Sequence, residues 1–488
     1  MPAVPEIRIL RCNDIPVNHK GAYVLYWMTA FRRTRWNFSL QRAVEWCTEL
    51  NKPLIIFEPL RIGYGWSSDR FHRFILDGMA ANSDALKKFS AAYYPYVEPY
   101  PDADKGLLAA LAGNACVVVT DDFPAFFIPS MIKAVAGSLP ARMEKVDGNG
   151  LLPMRASDSV FTAAQFFRRF LQKELPAHLA RMPEAAPLRV KGLQAPVPVP
   201  KEILKQWPPV SPELLQGHPK ALSALKINHH VPTVERRGGS REGTKTLKGF
   251  LENRLSLYPE NRNHPDDDAT SGLSPYLHFG HISVHEVFQR LAEKEDWAPE
   301  HLPKKVTGGR AGWWRMSEGA EAFLDELVTW REIGFNMCSL RDGYDRYDSL
   351  PAWALKTLNQ HSRDQRRYLY SLDEFEKAGT HDSLWNAAQS QLAREGRIHN
   401  YLRMVWGKKI LEWTPSPQEA LAIMIELNNK YALDGRDPNS YSGIMWCMGR
   451  YDRAWGPERP IFGKVRYMSS ENTARKLRLG EYLERYAP

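Results

Sequence analysis

Hydrophobic and polar residues follow two different patterns along the chain, and the change falls near residue 180. In the first third, short apolar runs rich in β-branched and aromatic residues alternate with segments that have one apolar face. The apolar runs predict strands at 22–28, 53–60 and 115–123, and the amphipathic segments predict helices at 37–51, 67–89, 105–113 and 126–137. This alternation is typical of parallel βαβ units. We therefore expect an α/β fold with a doubly wound, Rossmann-like sheet over residues 1–180.

A proline-rich stretch separates this part from the rest of the chain. Residues 182–220 contain many prolines, which interrupt regular helices, so we expect an extended surface linker over 181–243. Beyond the linker, strand signals almost vanish. The apolar pattern then predicts helices at 244–256, 283–294, 318–340, 383–411 and 416–429. We expect residues 244–488 to form a large all-helical second domain.

Composition narrows the class of partner. Hydrophobic residues make up 43% of the chain and charged residues 25%, which is ordinary for a globular protein, whereas the net charge of +9 favours polyanions such as nucleic acid. The cysteines are isolated, which argues against a metal site and a disulfide framework. No apolar run approaches the ~20 residues of a membrane span, and the start lacks the apolar region of a secretion signal. We expect an intracellular protein, cytoplasmic or nuclear.

Tryptophans form the most informative local pattern. Trp385, Trp406 and Trp413 lie in LWNAAQSQLAREGRIHNYLRMVWGKKILEW, and LNNKYALDGRDPNSYSGIMW follows, ending at Trp446. Trp406 and Trp413 are two helical turns apart, about 10 Å along a helix axis. Indoles that lie among Arg, Asn and Asp suit one-electron chemistry beside an aromatic cofactor. Each tryptophan taken alone is more simply a core residue.

These segments, together with TSGLSPYLHFGHIS at 270–283, resemble the photolyase/cryptochrome family. The resemblance is to class II cyclobutane pyrimidine dimer photolyases in particular, flavin enzymes that repair ultraviolet-damaged DNA with light. It is strong from about 257 to 469 and diffuse before 150. The segment SSENTARKLRLG near the C-terminus departs from the Gly/Cys/Lys-rich tail of that class.

The resemblance implies FAD, active in its reduced anionic form. It places a pyrophosphate cradle at a helix start, where a plain helix cap is the alternative. It pairs Arg403 with Asp434 beside the flavin ring, where a structural salt bridge is the alternative, and it assigns Asn428 to flavin N5 with Asn439 as competitor. The residues assigned to the cofactor are Tyr258, Thr270, Ser271, Gly272, Leu273, Ser274, Arg331, Arg403, Asn428, Asp434 and Asp437.

The resemblance also implies where repair and electron supply take place. Glu326 would face the damaged base and stabilise the radical anion, with Trp330, Met404 and Trp446 around the dimer. Trp385, Trp406 and Trp413 would form an electron-transfer triad, with Trp406 as its middle or proximal member. The DNA contacts would come from Arg450, Asp452, Arg453, Trp455, Lys464 and Arg466.

The function expected from these residues is light-driven repair of cyclobutane dimers that are flipped out of DNA. An antenna pigment of the deazaflavin or folate type is expected in the first domain, and the sequence does not identify which. We expect a monomer that acts on damaged DNA, with no membrane partner. The alternatives are a cryptochrome-like flavin light sensor without repair activity and, less favoured, a DNA-binding protein without a cofactor.

Overall fold

A computed structural model describes residues 2–487, and the chain divides into two compact units. The first unit comprises Met1–Ala156, Glu174–Lys248 and Leu273–Pro299. The second comprises Ser157–Lys173, Gly249–Gly272 and Glu300–Pro488. Residues 273–299 thus group with the sheet, although the sequence predicts them in the helical domain. They are held there by contacts such as Arg33 Nη1 donating to Gly280 O at 3.1 Å and the packing of Phe74 on Phe279.

The described part of the first unit contains one six-stranded sheet. Its order is β1-β6-β5-β2-β3-β4, with β1 antiparallel to β6 and the other neighbours parallel. This confirms the predicted doubly wound sheet. The segments YYPYVEPY and RMEKVDG of this alternation overlap β4 and β6, whereas the sequence missed β1, because a three-residue edge strand with little burial leaves no apolar run. The strands are β1 (Ile9–Arg11), β2 (Tyr23–Trp27), β3 (Leu54–Leu60), β4 (Ala92–Val97), β5 (Ala115–Asp121) and β6 (Met143–Val146).

Helices make up most of the remaining regular structure. Up to residue 300 the helices are α1 (Phe38–Leu50), α2 (Asp69–Leu86), α3 (Leu107–Gly113), α4 (Ile128–Ala136), α5 (Ala164–Glu174), α6 (Pro176–Leu179), α7 (Lys201–Gln206), α8 (Pro212–Leu215), α9 (Pro219–Ser223), α10 (Ser240–Asn253), α11 (Tyr258–Asn261), α12 (Ser274–His278) and α13 (Val284–Lys294). Later come α14 (Glu318–Leu324), α15 (Arg331–Leu340), α16 (Ala352–Gln360), α17 (Leu372–Glu376), α18 (Ser383–Glu395), α19 (Asn400–Glu412), α20 (Pro417–Tyr431), α21 (Pro438–Cys447), α22 (Ser470–Lys476) and α23 (Gly480–Arg485). Short 3₁₀ turns lie at Glu6–Arg8, Met154–Ala156, Pro187–Arg189, Pro265–Asp267, Pro299–His301 and Tyr347–Ser349.

Two apolar clusters pack against the sheet. Leu25, Ile55 and Val118 belong to one cluster, whereas their neighbours Val24 and Ile56 belong to the other. This division follows from the two-residue period of a strand, which sends alternate side chains to opposite faces. A parallel sheet covered on both faces explains why its strands read as continuous apolar runs.

The proline-rich segment is more ordered than the extended surface linker that the sequence predicts. It contains α7, α8 and α9, the last two with proline in their first turn, a position that needs no hydrogen-bond donor. Val199, Ile203 and Trp207 are buried in the same cluster as Leu25, and Trp207 Nε1 donates to Ala103 O at 2.8 Å. The prediction was wrong because a high proline content excludes long helices but does not determine whether the segment is exposed or buried.

Two predicted helices of the second unit are interrupted. The predicted helix 318–340 contains a π-helical turn at Asp325–Trp330, between α14 and α15. The predicted helix 383–411 is divided into α18 and α19, because Gly396 ends α18 with a left-handed φ of 69°. Among the described residues, no helix is both long and apolar enough to cross a membrane.

Asp121 fixes the loop that follows β2. Its carboxylate accepts hydrogen bonds from the backbone N–H groups of Thr29, Ala30 and Phe31 at 2.8–2.9 Å and from the Tyr26 hydroxyl at 2.8 Å. Asp121 ends β5, which neighbours β2 in the sheet where the strand order reverses. Doubly wound sheets commonly bind ligands at this point. Here the backbone N–H groups at this point are already bound by the Asp121 carboxylate.

We predict that Asp121→Ala destabilises the protein strongly, because the substitution leaves several buried donors without an acceptor. Each such donor costs about 1–3 kcal/mol, so the loss should exceed about 3 kcal/mol. Urea denaturation followed by circular dichroism would measure it, with the exposed Asp14→Ala as control. Equal midpoints for the two variants would contradict this role.

Candidate active site

A cavity of about 930 Å³ opens in the second unit. Its walls contain the four residues that the sequence predicts for catalysis. Among the described residues, six basic side chains and one carboxylate line it, so the cavity suits an anionic ligand. The predicted catalytic residues in its wall are Glu326, Trp330, Met404 and Trp446.

The π-helical turn supplies two of these side chains, Glu326 and Trp330. Such turns are rare and occur frequently at functional sites. Arg262 Nη1 donates to Glu326 Oε1 at 2.8 Å, and the guanidinium also lies over the Tyr258 ring at 5.3 Å. Burial raises the pKa of the Glu326 carboxyl above its ordinary value, and the charge of Arg262 opposes this effect. The sequence missed Arg262, because nothing in ENRNHP links it to a residue 64 positions away.

Helix α19 carries the next pair of predicted residues into the cavity wall. Arg403 and Met404 both line the cavity, and Arg403 Nη2 donates to the two carboxylate oxygens of Asp434 at 3.0 and 3.2 Å. The predicted pairing of Arg403 with Asp434 is therefore present. Both side chains are largely buried, which holds the guanidinium in one orientation.

The predicted cradle has a defined local structure. Arg254 Nη1 donates to Thr270 O at 3.0 Å, and Gly272 adopts a left-handed φ of 69°, which favours glycine. The N-cap of α12 is Leu273, an apolar residue, so this helix start does not use a hydroxyl as the plain-cap alternative requires. The division between the two units runs between Gly272 and Leu273, and Ser274 begins α12.

Other residues that the sequence assigns to the cofactor are buried in the second unit. Tyr258 packs between the rings of Phe250 and Phe323, and Arg331 lies over the Phe335 ring at 4.4 Å.

The two asparagines that compete for one role differ in exposure. Asn428 is buried, and its amide donates to Ser440 Oγ at 2.7 Å. Asn439 is exposed in the cavity wall, and its backbone N–H donates to the carboxylate of Asp437, the N-cap of α21. The assignment of Asn428 stays a prediction.

The three predicted redox tryptophans form a continuous row. Trp385 stacks on Trp406, with centroids 6.4 Å apart and planes within 4°, and meets Trp413 edge-on at 6.2 Å. Trp385 is therefore the middle member, so of the two places expected for Trp406, middle or proximal, the structure excludes the middle one and the proximal one stays a prediction. Trp413 is only 3% exposed, so the row ends beneath the surface, next to the rings of Tyr370 and His381. Helix spacing could not reveal this order, because Trp385 comes from a different helix.

A column of alternating cations and indoles borders the cavity. Lys408 lies 4.9 Å from the Trp446 ring, Arg466 lies 5.5 Å from it, and Arg466 also covers Trp455 at 4.0 Å. Arg453 covers the same Trp455 ring at 4.4 Å. The sequence missed Lys408, a fully buried lysine whose Nζ donates to Cys447 O at 2.7 Å.

The predicted DNA contacts are unequally available. Trp455 and Arg466 line the cavity. Asp452 accepts two hydrogen bonds from Arg466, so it is a positioning residue for the column. Lys464 is exposed and lies 3.5 Å from Glu458. Arg450 is only 1% exposed and donates to Ser349. The predicted DNA contact of Arg450 is therefore corrected, because its charge is buried in the fold.

Comparisons with known proteins agree with this architecture. No family model matches the chain. A deoxyribodipyrimidine photo-lyase from Methanothermobacter thermautotrophicus is 34% identical, over 98% of this chain and 97% of that protein. The crystal structure of a bacterial class III photolyase from Agrobacterium tumefaciens superposes with a TM-score of 0.64 and 18% identity, over 96% of this chain and 86% of that one. A cryptochrome from Synechocystis superposes with a TM-score of 0.63 and 14% identity, over 100% and 89%.

These likenesses define a protein with a Rossmann-like sheet domain followed by a helical domain. The structural matches are too distant in sequence to show more than the fold. The full-length identity of 34% shows the family, and the chain belongs to the photolyase/cryptochrome family.

His399 precedes helix α19 and generates a pH prediction. Burial lowers the pKa of His399 to about 4, below its ordinary 6.5, with Asp268 and Arg397 as the nearest charges. Between these values His399 binds more protons in the unfolded chain than in the folded protein, so its contribution to stability falls as the pH decreases from 6.5 to 4. His399→Gln should remove about 3 kcal/mol of this loss.

Denaturant midpoints at pH 7 and pH 4 would measure the difference. The exposed His301→Gln serves as control and should lose as much stability as the wild type. A His399→Gln variant with the same pH dependence as wild type would show that His399 does not carry this effect.

Proposed function

We propose that this protein is a class II photolyase, which uses light to repair cyclobutane pyrimidine dimers in DNA. The observation that carries the proposal is the convergence of Glu326, Trp330, Met404 and Trp446 on one cavity. Basic side chains around them suit a polyanionic substrate. The named relative is a deoxyribodipyrimidine photo-lyase, which supports the same reaction class. In this proposal the first unit is the antenna-type domain and the second unit is the catalytic domain.

The donor set of the second unit fits FAD. A guanidinium held by a carboxylate, Arg403 with Asp434, can bind polar atoms of a flavin ring and favours its anionic form. The segment at Thr270–Gly272, with its left-handed glycine, suits a pyrophosphate. Asn428, Asp437, Tyr258 and Arg331 complete the proposed cofactor residues. Bound in its reduced form, FAD would supply the light-excited electron for ring splitting.

Glu326 and Arg262 have the geometry to stabilise charge on the dimer. The Glu326 carboxyl has a raised pKa, so it gains a proton more readily than a surface glutamate. A protonated carboxyl can donate to a thymine carbonyl on which negative charge develops. Arg262, 2.8 Å away, holds the carboxyl toward the cavity and adds positive charge to the same place.

The tryptophan row provides an electron supply that is separate from repair. Ring contacts connect Trp406, Trp385 and Trp413 in that order. Each indole N–H of the first two is satisfied internally: Trp385 donates to Trp406 O and Trp406 donates to Gln389 Oε1, both at 3.0 Å. These bonds hold the rings in fixed orientations, which keeps their separations short and constant.

Repair is favoured over light sensing because of the substrate-facing residues. A sensor would need the cofactor residues and the tryptophan row, but it would have no use for Glu326, Met404 and the indole column. The Trp446 ring is held in contact with Lys408 and Arg466 and offers an apolar surface on which a flipped dimer can stack. A dimer pairs and stacks poorly, so moving it from the duplex into this cavity costs less than moving a normal base.

Glu326→Ala should bind dimer-containing DNA almost as well as wild type and repair it with a yield several-fold lower. The reason is that the carboxyl acts on the charged intermediate rather than on the bound ground state. Illumination of oligonucleotides with a single cyclobutane dimer or a single (6-4) photoproduct would test this, with the exposed Glu260→Ala as control. Repair of the (6-4) lesion, or a normal yield from Glu326→Ala, would overturn the assignment.

Trp385→Phe should slow light-driven reduction of the bound flavin severely, because it interrupts the row at its middle member. Repair by chemically pre-reduced enzyme should remain, since ring splitting does not use the row. Flavin absorbance under illumination measures the first quantity and dimer repair the second. Trp313→Phe, another buried tryptophan of the second unit, is the control. If flavin photoreduction in Trp385→Phe is as fast as in this control, Trp385 is only a core residue.

A further inference from the structure

Helix α22 lies in the segment whose sequence departs from the family pattern, and it forms part of the cavity wall. Ser469, Asn472, Thr473 and Lys476 all line the cavity. Asn472 and Lys476 are four residues apart, so they share one face of the helix. Thr473 is buried and its hydroxyl donates to Ser469 O at 2.8 Å, which holds the helix in place.

The chain that follows α22 is tied firmly to the second unit. Arg478 pairs with Asp267, and its backbone N–H donates to His264 Nδ1 at 3.1 Å. Tyr482 N–H donates to Asp266 at 2.8 Å, and its hydroxyl donates to Gln391 at 2.9 Å. These bonds anchor α22 from its C-terminal side, so its cavity face is a fixed wall.

The cations of the cavity wall differ in whether a carboxylate already neutralises them. Arg262 pairs with Glu326, Arg403 with Asp434 and Arg466 with Asp452, and Arg310 shares Asp325 with Arg168. Across residues 2–487, no carboxylate lies within salt-bridge distance of the two remaining cations, Arg459 and Lys476. An unpaired cation beside other cations gains most from an added anion, because repulsion becomes attraction.

We propose that α22 belongs to the DNA-binding surface, and that Lys476 contacts a backbone phosphate of DNA whose lesion occupies the cavity. Asn472, one turn earlier, donates its amide to the same stretch of backbone. Phosphate contacts of this kind position the duplex and carry no base information. The inference rests on the proposed function, since it requires a lesion-bearing strand in the cavity.

Salt dependence of binding distinguishes a phosphate contact from a general loss of charge. Lys476→Gln and Arg475→Gln each remove one positive charge from the same helix, but Arg475 does not line the cavity. Log K falls linearly with log salt, and the loss of one phosphate contact makes this slope less steep by about 0.9. Between 50 and 200 mM salt, the variant should therefore lose about 3.5-fold less affinity than the wild type. We expect this change for Lys476→Gln and a much smaller one for Arg475→Gln.

Fluorescence anisotropy with a duplex that carries one cyclobutane dimer would measure the slopes, and thermal melting would check folding. Lys476→Arg should retain the wild-type slope, which keeps the test valid if Lys476→Gln proves unstable. If the Lys476→Gln and Arg475→Gln variants have equal slopes while the wild type still prefers dimer-containing DNA over undamaged DNA, the proposed role of α22 is wrong and the proposed function stands. A wild type without that preference overturns the proposed function as well.

Discussion

Burial of most of helix α19 is the constraint on which the second unit depends. Successive residues of this helix face different neighbours, so each turn contributes to a different structure. Arg403 and Met404 line the cavity, Trp406 stacks on Trp385, and Lys408 lies against Trp446. Every residue from Val405 to Leu411 is buried, so the two lysines of this stretch need partners inside the protein. Lys408 donates to Cys447 O and Lys409 to Glu412 Oε2.

Buried charge in this unit is tolerated because each ion has a defined partner. Arg403 binds Asp434, Arg168 binds Asp325, and Arg466 binds Asp452 with two hydrogen bonds. An unpaired buried ion would cost several kcal/mol, so these pairs are needed for the fold as well as for a site. Lys408 and Arg450 are held without a carboxylate, since Arg450 donates to Ser349 and Lys408 relies on a backbone carbonyl and an indole face. Burial lowers the pKa of Lys408 to about 8.

The cavity and the tryptophan row use different side chains of the same helix, α19. The π-helical turn contributes two carboxylates, Asp325 and Glu326, and these lie next to Arg310 and Arg262. The row requires contact between aromatic rings and few charges, and Trp385 and Trp406 are both buried in such surroundings. The charged cavity wall and the aromatic row are thus built from different side chains of the same helix, α19.

The amino-acid sequence by itself determined most of the element types and a set of candidate site residues. Strand–helix alternation predicted the doubly wound sheet, because periodicity is a local property of the chain. The resemblance to the photolyase/cryptochrome family implied Glu326, Arg403 and Trp446, which the fold brings to one cavity. The spacing of Trp406 and Trp413 indicated a row, since both lie on one helix.

Only the tertiary structure decided what depends on residues distant in sequence. It placed Trp385 in the middle of the row, paired Arg262 with Glu326, buried Arg450, and made Lys408 part of an indole column. It also packed Trp207 of the proline-rich segment into the core of the first unit and α22 into the cavity wall. Local pattern carries no information on such contacts, because burial and pairing are set by which elements pack together.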